Sequence, residues 1–171
     1  PQLILDWRRV FRSPVLPFLF VQIAPFGYAG DTGEISELRE AQRHALALPN
    51  TGMAVTVDIG DPSDIHPTNK ADVGKRLAHW ALADVYDRDV PRCGPLFVSA
   101  SRDGHAQNAL RVEFAHVDGP LRTLDGEPVR SFEVADANGA WHPADVQLDG
   151  DALLASSPRV AAPSQVRYAW G

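Results

Sequence analysis

The residues with the clearest chemical potential lie in one acidic stretch, residues 58–67, which reads DIGDPSDIHP. It places one histidine, His66, close in sequence to the aspartates Asp58, Asp61 and Asp64. An imidazole beside a carboxylate can act as a general base: it takes a proton from a nucleophilic hydroxyl and returns it to the leaving group, while the carboxylate fixes the ring tautomer. The stretch therefore predicts an acid–base site around His66.

The same side chains also fit two other interpretations. Asp58, Asp61, Asp64 and His66 offer oxygen and nitrogen ligands for Ca²⁺, Mg²⁺ or a transition metal. Against this, no second histidine stands at helical ligand spacing, and the stretch does not match an EF-hand loop. A simpler interpretation is that Asp58 and Asp61 cap backbone groups in a tight turn.

Two apolar runs predict the strands that must position this stretch. Residues 16–24 read LPFLFVQIA, with Gln22 as the one polar interruption, and residues 53–59 read MAVTVDI. Each is followed by a segment with one apolar face at helical spacing. Alternating strands and helices predict an α/β layer with a parallel sheet, in which the loops after the strands share the edge where ligands bind. Gln22 is then either directed at that edge or a satisfied buried amide.

From about Pro91 the pattern changes to short, partly alternating apolar runs. Dipeptides that supply the positive φ angles of hairpins separate them, at residues 103–104, 118–119, 125–126, 138–139 and 149–150. This predicts a small antiparallel β-sandwich-like domain. We therefore divide the chain into an α/β portion, residues 1–90, and a β-rich accessory domain, residues 91–171.

Composition excludes several classes of partner. The chain has 16 Lys and Arg against 22 Asp and Glu, with no basic cluster, so nucleic acid and anionic membranes are poor partners. Its single cysteine, Cys93, rules out an internal disulfide. Residues 3–11 follow helical spacing directly after Pro1, with little room for a cap, and we therefore expect further residues upstream.

Several longer segments resemble the C-terminal part of sialate O-acetylesterase-like proteins, which belong to the SGNH/GDSL hydrolases. The resemblance spans nearly the whole chain and is most specific in its central blocks. The segments are LDWR (5–8), PFLFVQIAPFGY (17–28), LREAQ (38–42), PNTGMAVTVDIG (49–60), DIHPTNK (64–70), VGKRLA (73–78) and VRYAW (166–170).

The resemblance implies a flavodoxin-like α/β hydrolase domain whose late loop carries the catalytic histidine and its acidic partner. His66 matches the histidine. The superfamily's usual acid lies three positions earlier, where this chain has Ser63, so the resemblance favours Asp64 as the acid, with Asp61 as the alternative. The family's nucleophilic serine and oxyanion-hole blocks lie upstream of these residues. The chain would therefore need the N-terminal part of the same protein as its partner.

From the resemblance we expect a serine-type carbohydrate O-acetylesterase that needs no metal or organic cofactor. Its substrate would be an O-acetylated sialic acid or a plant cell-wall oligosaccharide such as a xyloglucan or xylan fragment. We expect a periplasmic or secreted protein, with the leader in the N-terminal part. The alternative function is a non-catalytic module whose β-rich part binds glycan or docks a partner.

Overall fold

Two parallel strands and three helices make up the N-terminal part of the chain. The computed structural model describes residues 1–104 and 108–170, and these divide into two units, Pro1–Cys93 and Gly94–Trp170. In the first unit the elements are α1 (Gln2–Val10), β1 (Phe18–Val21), α2 (Glu34–His44), β2 (Thr51–Ala54) and α3 (Lys70–Trp80). A 3₁₀ turn, Ala45–Ala47, extends α2, and a π-helical turn, Ala81–Val85, extends α3.

Strands β1 and β2 pair in parallel, from Phe18 opposite Thr51 to Val21 opposite Ala54. The helix between them makes this a strand–helix–strand unit, so the predicted mixed α/β character of residues 1–90 is confirmed. A parallel pair needs a crossover of this kind, because a tight turn cannot return the chain to the same end of the sheet. The crossover leaves the carboxyl ends of both strands at one edge.

Strand β2 ends five residues earlier than the predicted run 53–59. After Ala54 the backbone turns, and the Ile59 amide donates to the Thr56 carbonyl at 3.2 Å. The Thr56 hydroxyl donates to the Gln22 carbonyl at 2.9 Å, and the Arg76 guanidinium donates to the Val55 carbonyl at 2.6 Å. Side chains thus replace the strand ladder here, and Asp58 lies in the turn rather than in the strand as the sequence predicted.

Trp80 fixes α3 against β2. The side chain is 4% exposed, and its Nε1 donates to the Met53 carbonyl at 2.9 Å. The indole lies over Gly52, where an added Cβ would stand 2.6 Å from Trp80 Cδ2. Only glycine therefore allows this close approach of helix and strand, which explains the glycine in the middle of a buried strand.

The second unit consists of two antiparallel sheets. One has the order β3 (Leu96–Arg102), β4 (Ala109–Ala115), β8 (Ala152–Ser156), β7 (Asp145–Asp149); the other has the order β6 (Trp141–Pro143), β5 (Phe132–Ala135), β9 (Gln165–Tyr168). Buried side chains from both sheets form one apolar cluster: Leu110, Val112, Phe132, Val134, Leu153, Ala155 and Val160. The predicted antiparallel strands are confirmed. Strand β6 was not predicted, because three residues are too few to show an alternating pattern.

Four of the five predicted turn glycines have positive φ, namely Gly119, Gly126, Gly139 and Gly150. Gly150 closes the hairpin of β7 and β8, and Gly139 lies in the turn between β5 and β6. Among the helices of the described residues, none has the length and apolar character needed to cross a membrane.

Candidate active site

The loops that follow β1 and β2 meet at the carboxyl edge of the parallel pair. The Gly27 amide, in the first loop, donates to the Pro62 carbonyl, in the second, at 2.8 Å. A Cβ on Gly60 would lie 2.4 Å from Pro25 Cδ, so the two loops also touch where Gly60 passes Pro25. These contacts hold the loop with His66 against its neighbour.

His66 lies on the second loop, beside Asp64. Asp64 Oδ1 accepts the backbone N–H of His66 at 2.8 Å and lies 3.5 Å from His66 Nδ1. The imidazole is 88% exposed and the carboxylate 56%, so both side chains are open to solvent on this unit. The ring nitrogen nearest the carboxylate is Nδ1, which leaves Nε2 directed away from Asp64.

Asp61 is engaged differently. Its Oδ1 accepts both the amide and the hydroxyl of Ser63, at 2.8 and 2.7 Å, and these hydrogen bonds, the hydroxyl first, lower the pKa of the Asp61 carboxyl. Its carbonyl accepts the Asp64 amide at 3.2 Å. Asp61 therefore caps a tight turn, as the simpler interpretation of the sequence anticipated, and this turn presents Asp64 next to His66.

Asp58 forms a bidentate ion pair with Arg76 of α3, through contacts of 2.6 Å at both carboxylate oxygens. The hydrogen bonds from Arg76 hold the pKa of Asp58 below its ordinary value. Arg76 also donates to the Val55 carbonyl at 2.6 Å, so the pair anchors the start of the loop to α3. In residues 1–104 and 108–170, no three His, Cys, Asp or Glu side chains converge in a way that suits a metal ion.

An aromatic pair on the first loop was not picked out by the sequence reasoning. Phe26 and Tyr28 pack in a T-shaped arrangement with ring centroids 4.7 Å apart, and both are half-buried. They flank Gly27, whose amide bonds to the His66 loop. The available signal was position, since an aromatic–Gly–aromatic triplet follows the apolar run 16–24, whose strand ends at the ligand edge.

Gln22 follows β1, and its side chain is directed at α2. Its Nε2 donates to the Arg39 carbonyl at 3.3 Å, whereas Oε1 is buried without a hydrogen-bond partner in the described part of the chain. Of the two sequence interpretations, the buried amide fits better, although only half of the amide is satisfied.

Cys93 is a poor alternative nucleophile. Burial raises the pKa of its thiol to about 11, so the reactive thiolate is scarce at neutral pH.

Comparison with solved structures gives a similar protein over almost the whole chain. The similar protein is a carbohydrate acetylesterase. The acetylesterase is from Xanthomonas citri, and its sequence is 43% identical to this chain. Its crystal structure superimposes with a TM-score of 0.91 and matches 98% of this chain. This chain covers only 39% of the acetylesterase chain. No protein-family model and no curated protein sequence matches.

The similarity supports the broader part of the sequence prediction, a carbohydrate esterase. Membership of the sialate O-acetylesterase-like family and the SGNH type of fold stay predictions. The assignment of His66 and Asp64 as catalytic residues is likewise a prediction, for which the structure supplies the geometry described above.

Proposed function

We propose that this chain forms part of a carbohydrate O-acetylesterase in which His66 is the catalytic base and Asp64 its acidic partner. The observation that carries the proposal is the Asp64–His66 pair, held on a loop at the carboxyl edge of a parallel strand pair, in a chain 43% identical to a carbohydrate acetylesterase. This edge is where open α/β sheets bind ligands.

The proposed reaction is acyl transfer through a serine. His66 Nε2 takes the proton of the serine hydroxyl as the oxygen attacks the acetyl carbonyl, and it returns that proton to the departing sugar oxygen. Water then attacks the acetyl-enzyme with the same help from His66 and releases acetate. Asp64, on the Nδ1 side, holds the ring tautomer and stabilises the imidazolium in both steps.

The serine and the donors that stabilise the oxyanion would come from another part of the protein. In the part of the chain that the structure describes, the His66 ring contacts the Asp64 carboxylate, and no serine hydroxyl bonds to the ring. The high exposure of the imidazole leaves Nε2 accessible to such a partner. We therefore propose that the N-terminal part of the same protein, in a flavodoxin-like SGNH hydrolase domain, completes the site.

We further propose that the substrate is an O-acetylated sialic acid or an acetylated plant cell-wall oligosaccharide, and that the protein works in the periplasm or outside the cell. Acetate release from a panel of acetylated sialic acids, xylan and xyloglucan fragments distinguishes the two substrate classes. A preference of at least tenfold in kcat/KM for one class would assign it.

The catalytic role of His66 is tested with His66→Ala in the full-length protein. Loss of a triad base lowers kcat by about 10³-fold or more. His44→Ala is a matched control, because His44 is also solvent-exposed and also lies beside a carboxylate, with Nε2 3.2 Å from Glu40. If His66→Ala retains acetate release within a few-fold of the wild type, the proposed function is wrong.

The choice of acid is tested by comparing Asp64→Asn with Asp61→Asn. We expect Asp64→Asn to lower kcat strongly, because an amide no longer stabilises the imidazolium. We expect Asp61→Asn to lower kcat only slightly, because it weakens the turn that presents Asp64. The reverse order would assign the role to Asp61 instead.

A further inference from the structure

We infer that Phe26 and Tyr28 form a binding platform for the sugar ring of the acetylated substrate. This inference rests on the proposed function and adds to it the residues that recognise the carbohydrate rather than the acetyl group. It starts from the position of the aromatic pair, its exposure and the hydrogen-bonding capacity of Tyr28.

The platform lies beside the loop that carries His66. Gly27, between the two aromatic residues, donates its amide to the Pro62 carbonyl at 2.8 Å. His66 follows Pro62 by four positions, a span of at most about 15 Å when fully extended, and the turns at Asp61 and Asp64 shorten it. The pair therefore lies within the length of a short oligosaccharide from His66.

Gly27 also limits how the two loops can be arranged. A Cβ at this position would lie 3.1 Å from the Pro62 carbonyl oxygen, a tight contact that would require the loops to shift by a few tenths of an ångström. The sequence Phe-Gly-Tyr thus places two large aromatic rings on either side of a residue whose missing side chain favours close approach to the His66 loop. This arrangement fixes the rings relative to the catalytic loop.

The chemistry of the pair suits a sugar. In a T-shaped pair one ring contributes only its edge, so its partner covers neither face of that ring. Both side chains are half-buried, unlike the fully packed Trp80. A pyranose presents C–H groups that pack on an aromatic face and hydroxyls that need hydrogen-bond partners. Within residues 1–104 and 108–170 the Tyr28 hydroxyl makes no hydrogen bond, so it is available to a sugar hydroxyl.

The test compares two substrates in the full-length protein: an acetylated oligosaccharide and p-nitrophenyl acetate, which has an acetyl ester but no sugar. For Tyr28→Ala we expect kcat/KM on the oligosaccharide to fall about tenfold, mostly through a higher KM. Activity on p-nitrophenyl acetate should stay within about twofold. Tyr28→Leu keeps apolar bulk and gives the same test if the alanine variant does not fold. Tyr86→Ala, which removes an exposed tyrosine after α3, is the matched control.

The outcomes separate the two proposals. An equal loss on both substrates would assign Tyr28 a structural role and overturn the platform, and so would no loss on either. These results leave the proposed function intact if His66→Ala abolishes both activities. If His66→Ala leaves both activities intact, the proposed function itself fails.

Discussion

A buried arginine, Arg8, offers the sharpest test of how the sequence holds the parallel strands in place. The side chain is 5% exposed, and its guanidinium donates to three backbone carbonyls. Nε bonds to Leu16 at 3.0 Å, and Nη2 bonds to Pro49 at 2.6 Å and Asn50 at 3.2 Å. These carbonyls immediately precede β1 and β2, so one helical side chain fixes the entry of both strands.

The expected cost of Arg8→Met follows from these bonds. Methionine keeps most of the apolar stem but leaves the Leu16 and Pro49 carbonyls without their donor, whereas the Asn50 carbonyl keeps the Phe18 amide at 2.9 Å. Hydrogen bonds from a charged donor contribute about 1.5–3 kcal/mol each. Relief of the buried charge offsets part of this loss. We therefore expect the free energy of unfolding to fall by about 2–4 kcal/mol.

The measurement is urea unfolding of the full-length protein, followed by tryptophan fluorescence. Arg8→Lys should lose about half as much, since an ammonium group lacks the fork that reaches separate carbonyls. Arg9→Met is the matched control: Arg9 is exposed and, among the described residues, its side chain pairs with Asp6, so its loss should cost less than about 1 kcal/mol. An Arg8→Met variant as stable as the control would refute the reasoning.

Two further predictions concern packing and charge. Gly52→Ala should lower the free energy of unfolding by about 1–3 kcal/mol, because the new methyl group overlaps the Trp80 indole; thermal unfolding measures this, and an unchanged Tm would contradict it. The hydrogen bonds from Arg76 lower the pKa of Asp58 in the folded state below its value in the unfolded state. The ion pair therefore stabilises the fold at pH values above the ordinary aspartate pKa. This contribution is lost as the pH falls through the lowered pKa of the folded state. The difference in free energy of unfolding between wild type and Asp58→Asn should therefore be largest near pH 6 and disappear in acid. A difference that does not change with pH would argue against the pairing.

Strong local patterns were enough to predict the elements of the α/β portion. The apolar run 16–24 contains β1, and the helical segment predicted after the second run overlaps α3, because both show a strong local pattern of apolar residues. The dipeptides with glycine likewise gave four backbone positions with positive φ. Gly104 is the exception among them, since its φ is not positive.

The end of β2 could not be predicted, because tertiary contacts decide it. Val55 and Val57 continue a β-branched pattern, yet the ladder stops at Ala54. The groups that end it, the Thr56 hydroxyl and the Arg76 guanidinium, bond to backbone far away in sequence. A local pattern contains no information about such partners.

For the site, sequence supplied the residue types but not their partners. The sequence left the acidic partner of His66 between Asp64 and Asp61 and allowed Asp58 to be a turn cap, whereas the structure gives each aspartate a different contact. Asp58 pairs with Arg76, Asp61 caps Ser63, and Asp64 contacts His66. The 18-residue separation between Asp58 and Arg76 hides that pair from any reading of the local sequence.

These contacts bear on how His66 could work on an exposed loop. Catalysis needs the base held close to one geometry, and exposed loops are usually poor at this. Here the loop is tied to α3 through Asp58, to the first loop through Pro62, and to itself through the Asp61 and Asp64 turns. The backbone position of His66 is thus set by contacts within residues 1–93. Under the proposed function, the N-terminal part would then meet a loop whose backbone is already in place, and it would supply the serine hydroxyl and the oxyanion donors.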